Sequence, residues 1–129
     1  MLVADASVLA PVIADGGADG VRYRQRLRGE TLAAPELARV EVLSVLRRQL
    51  LHGSLTQLQA DAAVADLVAL PIAVYPMAGL IVRCWELRAN VTAYDACYVA
   101  LAESLGCALL TADARLANAP GPTCTIEYL

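Results

Sequence analysis

The stretch VTAYDACYVALAESLG, residues 91–106, decides how this chain is read. Thr92 can cap a helix, Tyr94, Cys97, Tyr98, Leu101 and Leu105 recur behind it at three- and four-residue steps, and Gly106 stands where a C-terminal cap belongs. Apolar residues run almost all round until Glu103 and Ser104, so the helix is expected to be largely buried. Asp95 interrupts that surface. Its neighbours at helical spacing are Val99 and Ala102, which places the carboxylate inside. A local role competes with a functional one, because Thr92 and Asp95 spell the T-x-x-D pattern of a capping box. Other lone acids at matching places would separate the two.

The 129 residues suffice for one domain with a real core. No apolar run approaches the roughly 20 residues needed to cross a bilayer, and no basic stretch precedes the first apolar residues, so a cytoplasmic protein is expected. Cys84, Cys97, Cys107 and Cys124 show no C-x-x-C spacing, and His52 is the single histidine. These cysteines read as buried, reduced thiols rather than a zinc site. The formal net charge of −3 means that contact with nucleic acid requires a local basic patch. Every basic residue is Arg.

Outward from the central helix, apolar residues 1–4 suit a strand buried on both faces, with Asp5 at its carboxyl end and Ser7 able to cap the helix that follows. Residues 15–20 form a loop without a phosphate-binding glycine pattern. Arg22, Arg24, Arg26 and Arg28 follow on a short helix, as a solvated face or an RNA-facing patch. Residues 31–34 make a second strand, and Pro35 opens a helix to about His52. On it Glu41 shares a face with Leu37, Ala38, Ser44 and Val45; pairing with Arg39 or Arg48 is the purely structural reading. A capping box at residues 54–57 starts a further helix that ends at Pro71. Residues 72–75 form a third strand, 78–88 a helix with Asn90 as a left-handed cap, and 107–111 a fourth strand with Asp113 just beyond it. Residues 123–128 alternate as an edge strand should.

Strands alternating with helices predict an α/β fold, a three-layer sandwich with a mostly parallel central sheet of about five strands. Sites in such sheets form outside the carboxyl ends of the strands, where Asp5, Glu41, Asp95 and Asp113 can face one crevice. Two carboxylates about 4 Å apart repel by roughly 4 kcal/mol at an effective dielectric near 20, so a cluster must take up protons or cations. Mg²⁺ or Mn²⁺, held by one or two carboxylates and otherwise by water and phosphate oxygens, is the fitting partner and suits phosphodiester cleavage without His, Ser or Cys.

The segments VADASVL from residue 3, EVLSVLRR from residue 41, TAYDACYVALAE from residue 92 and LLTADARLA from residue 109 together resemble a PIN-domain ribonuclease, and among these the VapC-type toxins of toxin–antitoxin pairs. The resemblance implies Asp5, Glu41, Asp95 and Asp113 as a metal-binding acidic cluster, an Mg²⁺-dependent endonuclease acting on RNA, and a cognate antitoxin in the active-site groove. It makes Ser7 and Thr111 supporting polar groups. Relatives with a further acid two residues beyond the position of Asp113 differ here, where Arg115 stands. Phosphate-accepting receivers and haloacid-dehalogenase-like phosphatases also begin with a strand-end aspartate, but both imply a lysine this chain lacks. A binding module of the same fold without activity is the remaining alternative. The 58% apolar composition predicts residual apolar surface and a homodimer, with helices 36–52 and 54–70 as the sources of that surface and of the antitoxin groove.

Overall fold

The computed structural model describes residues 1–129. Five strands, β1 (Leu2–Ala4), β2 (Leu32–Pro35), β3 (Ile72–Tyr75), β4 (Ala108–Thr111) and β5 (Ile126–Tyr128), run parallel in one sheet of order β3-β2-β1-β4-β5. Seven α-helices fill the connections: α1 (Ala6–Ala14), α2 (Ala18–Leu27), α3 (Ala38–Leu51), α4 (Gln57–Ala69), α5 (Ile81–Glu86), α6 (Ala93–Leu105) and α7 (Ala114–Ala117). From β1 the chain steps outward through β2 to β3, then returns to the other side of β1 to form β4. Right-handed crossovers in opposite directions put α1 to α4 on one face and α5 to α7 on the other, which makes the three layers. The strand order reverses beside β1, between β2 and β4, so a crevice opens at the carboxyl end of β1.

Helix α6 spans this reversal, packing on β1, β2 and β4. Ala96, Tyr98, Val99, Ala100, Leu101 and Ala102 are all buried, and the small residues among them let the helix lie close to the sheet. Gly106 ends it with φ 63°, a left-handed conformation that favours glycine. Tyr94 departs from the predicted apolar stripe and is 67% exposed. Glu103 does structural work near the other end. It receives two hydrogen bonds from Arg83 of α5, at 2.7 and 3.1 Å, and one from the Thr123 N–H at 2.8 Å, which tie α5 and the approach to β5 onto α6.

Several boundaries differ from the sequence expectation. Pro35 ends β2 rather than opening a helix, and α3 starts three residues later. Residues 18–20 join α2 instead of a loop, and only the last three residues of the 123–128 segment pair as a strand. Asn90 is not a left-handed cap, since no residue other than glycine has positive φ. Of the cysteines only Cys84 is buried; the other three free thiols are half-buried. Exposed apolar side chains occur on α3 and α4, at Val40, Leu43, Leu51, Leu58, Val64 and Val68, but also at Ile81, Val82 and Trp85 of α5. No helix is long and apolar enough to cross a membrane.

Arg83 and Thr123 hold the Glu103 carboxyl below the usual carboxylate range, Arg83 having the larger effect. A depressed carboxyl contributes stability that is present above its unfolded pKa and lost as pH falls through the folded value. Glu103→Gln is therefore expected to cost about 2 kcal/mol at pH 7, as charge-assisted bonds to a mostly buried group are lost. Urea denaturation of parent and variant should converge as the pH is lowered through the carboxylate range.

Candidate active site

Asp5 leaves β1 in extended conformation and becomes the N-cap of α1, the place expected for Ser7. One carboxylate oxygen accepts from the backbone N–H groups of Ser7 (3.0 Å) and Val8 (3.3 Å) and from the Ser7 hydroxyl. The other accepts from Thr111 Oγ1 at 2.6 Å. Ser7 Oγ and Thr111 Oγ1 in turn accept from the backbone N–H groups of Ala112 (2.8 Å) and Asp113 (3.0 Å). The ends of β1 and β4 are thus laced together around one carboxylate, which is only 4% exposed. Burial pushes its pKa up, while bonds from Ser7, Thr111 and the backbone oppose the rise.

Glu41 lies in the first turn of α3 and accepts a 3.2 Å hydrogen bond from the hydroxyl of Tyr98. It pairs with neither Arg39 nor Arg48: Arg39 donates instead to the carbonyls of Leu67 and Leu70. Desolvation raises the Glu41 pKa, Tyr98 lowers it, and the nearby charges of Asp95 and Asp5 raise it further. The fully buried Tyr98 phenol is pushed well above its ordinary value, first by burial and then by Glu41, Asp5 and Asp95, so it stays protonated as a donor. By spacing alone Tyr98 belongs only to the apolar stripe. The available signal was its hydroxyl, which on a buried helix needs a partner, three residues from Asp95 and hence on the same face.

Asp95 occupies the first turn of α6, half-buried. Its backbone N–H donates to Thr92 Oγ1 at 3.1 Å, but its carboxylate does not return the bond, so only half of the capping box forms. The carboxylate instead lines a small cleft of about 140 Å³ with Asn90, Thr92 and Arg115. Asp113 is placed differently. It caps α7 through the Arg115 N–H at 2.8 Å and meets the Arg115 guanidinium at 3.2 Å, which holds its carboxyl low.

Around Tyr98, therefore, the structure brings Asp5, Glu41 and Asp95 into one electrostatic field, and turns Asp113 toward Arg115. No three of these acids are gathered closely enough to enclose an ion by themselves. The donor chemistry is nonetheless all oxygen, without His or Cys. Only one hydrogen bond reaches the second oxygen of Asp5, so a lone pair stays available. Such a set fits a hard divalent cation that keeps most of its shell as water and substrate oxygen.

The sequence matches the PIN domain over residues 2–122. Ribonuclease VapC9 of Mycobacterium tuberculosis is 43% identical over 130 residues, an alignment that covers 100% of this chain and 98% of the relative. The solved structure of VapC20 from M. tuberculosis, a Sarcin-Ricin loop cleaving toxin, superposes with a TM-score of 0.70 at 18% identity, covering 90% of this chain and 92% of that one. A chain of a toxin–antitoxin complex from Klebsiella pneumoniae superposes with a TM-score of 0.67 at 16% identity over 98% and 96% of the two chains. The chain belongs to the PIN-domain family, and within it to the VapC ribonucleases.

Two outcomes follow from the carboxylate network. Thr111→Val, which leaves the second Asp5 oxygen and the Asp113 N–H without their partner, is expected to cost about 1–3 kcal/mol in a thermal melt. Asp5 and Glu41 bind their protons more tightly in the folded protein than in the unfolded chain. Their contribution to stability is therefore present below the ordinary carboxylate range and lost as pH rises through the raised values. In chelator, Glu41→Gln should flatten that decline and melt higher than the parent at neutral pH.

Proposed function

We propose that this protein is a divalent-metal-dependent endoribonuclease, the toxin of a toxin–antitoxin pair, in which Asp5, Glu41 and Asp95 hold the metal and Asp113 assists from the rim. One observation carries the reading: Asp5 at the end of β1, Glu41 bonded to Tyr98 and Asp95 one turn before Tyr98 on α6 stand at the switch-point edge of the sheet, in a chain 43% identical along its length to a VapC ribonuclease. Mg²⁺, with Mn²⁺ as the alternative, would supply Lewis-acid activation of water and stabilise charge on the attacking and leaving oxygens. The protein's own share is placement. Asp5 is fixed by Ser7, Thr111 and the start of α1, Glu41 by Tyr98, and Asp95 by a capped helix start that leaves its carboxylate free. Arg115 engages both oxygens of Asp113, one through its backbone N–H and one through its guanidinium, which favours a single firmly held ion. The antitoxin partner and a homodimer belong to the same reading, supported by the apolar side chains left exposed on α3, α4 and α5.

Carboxylate repulsion and metal binding predict opposite effects on stability and activity. Asp5→Asn and Asp95→Asn should be at least as stable as the parent in chelator, yet fail to cut RNA. Mg²⁺ at about 100 times its dissociation constant should stabilise the parent by roughly 2.7 kcal/mol and the variants by much less. Thermal melts with and without Mg²⁺, beside cleavage of total RNA, read both quantities. An equal Mg²⁺ response in all three proteins, or parental cleavage by either Asn variant, would remove these residues as ligands. For the assembly, light scattering at micromolar concentration should report a dimer that grows on adding the antitoxin.

A further inference from the structure

All of the basic side-chain charge in this chain is carried by ten arginines, and most are spent inside the molecule. Arg22 pairs with Asp19, Arg26 with Glu30 and Glu127, Arg83 with Glu86 and Glu103, and Arg115 with Asp113. Arg24 and Arg39 donate to backbone carbonyls, and Arg88 lies over the Trp85 ring. Arg28, Arg47 and Arg48 are left without an ion pair or side-chain hydrogen bond. Two of these three stand side by side on α3 and line, with Glu41, Ser44, Val45 and Ala6, an open cleft of about 430 Å³. A carboxylate of the candidate site and two free guanidiniums therefore share one wall.

That arrangement is informative because the charge balance opposes it. A chain of formal charge −3 repels a polyanion at long range, so binding must be won by cations placed beside the chemistry. Adjacent positions on a helix diverge by about 100°, which lets the two guanidiniums reach to either side of a strand laid across the cleft. Each offers a planar fork of donors suited to phosphate oxygens, and the Ser44 hydroxyl adds a neutral donor between them.

We propose that Arg47 and Arg48 hold backbone phosphates of the RNA on the Glu41 side of the cut, so that α3 carries both a metal-binding acid and the substrate clamp. The inference rests on the ribonuclease reading above and specifies how the polyanion is drawn to an acidic site. Backbone contacts of this kind position a strand without reading its sequence, so their loss weakens all RNAs alike.

The test uses end-labelled total RNA in filter binding with Mg²⁺, on proteins carrying Asp5→Asn to prevent cutting, across a salt series. R47Q/R48Q should weaken binding about tenfold and lower the slope of log affinity against log salt by about 1.4, near 0.7 for each phosphate contact on a single strand. R47K/R48K should restore most of both, since the charge returns without the fork. R28Q, at the far end of α2 beside Val12, Leu27 and Leu32, should behave as the parent. Melts matching the parent establish that each variant is folded, and the single variants R47Q and R48Q serve if the pair is not. Unchanged affinity and salt slope for R47Q/R48Q on the Asp5→Asn background, together with parental RNA cleavage by R47Q/R48Q that retains Asp5, overturns this inference alone. So does a loss confined to antitoxin binding, which would give the pair to the protein partner. A parent that neither binds nor cuts RNA overturns the ribonuclease reading and the clamp together.

Discussion

The buried carboxylate of Asp5 is the constraint on which the rest of this structure depends. It lies where β1 gives way to α1, almost without contact with water, and an ionised group in that position requires several donors to be tolerable. The chain supplies them from both sides of the strand-order reversal: the first turn of α1 and Ser7 from one, Thr111 at the end of β4 from the other. Satisfying one charge thereby fixes the relative position of two strands joined by more than a hundred residues. The same two hydroxyls also accept from the backbone just beyond β4, so the loop that carries Asp113 inherits its position from Asp5.

A second level of organisation comes from Tyr98. Tyr98 lies on the buried face of α6, so the one polar atom of its side chain has to find a partner within the protein, and it finds Glu41 on a helix from the other face. The phenol is kept protonated first by its burial and then by the neighbouring carboxylates, which lets it donate. Repulsion among the acids is thus partly absorbed by the scaffold, through the donors to Asp5 and the Tyr98 hydroxyl on Glu41. Asp113 contributes less to that repulsion, because Arg115 neutralises it locally.

The ion pairs follow the same division. Arg83 with Glu103, and Arg26 with Glu30 and Glu127, fasten peripheral helices and the last strand to the frame, well away from the acids. Arginines committed in this way cannot serve a substrate. The uncommitted pair on α3 stands out only when every other cation has been accounted for.

The sequence by itself determined the alternation of strands and helices, the parallel sheet, the capped and buried course of α6 and the identity of the unusual acids, because these follow from apolar periodicity and from residues with strong local conformational demands. Thr92 and Gly106, for example, mark both ends of α6 by their own chemistry. What only the tertiary structure decided depends on partners distant in sequence. That Asp5 rather than Ser7 caps α1 is set by Thr111, whose hydroxyl fixes the carboxylate from 106 residues away. That Glu41 bonds Tyr98 and not an arginine is set by a helix 57 residues downstream, which arrives from the opposite face of the sheet. Spacing along a chain states which side chains share a face, but a carboxylate's partner is chosen by whichever donor the fold delivers to it in a place where water cannot compete.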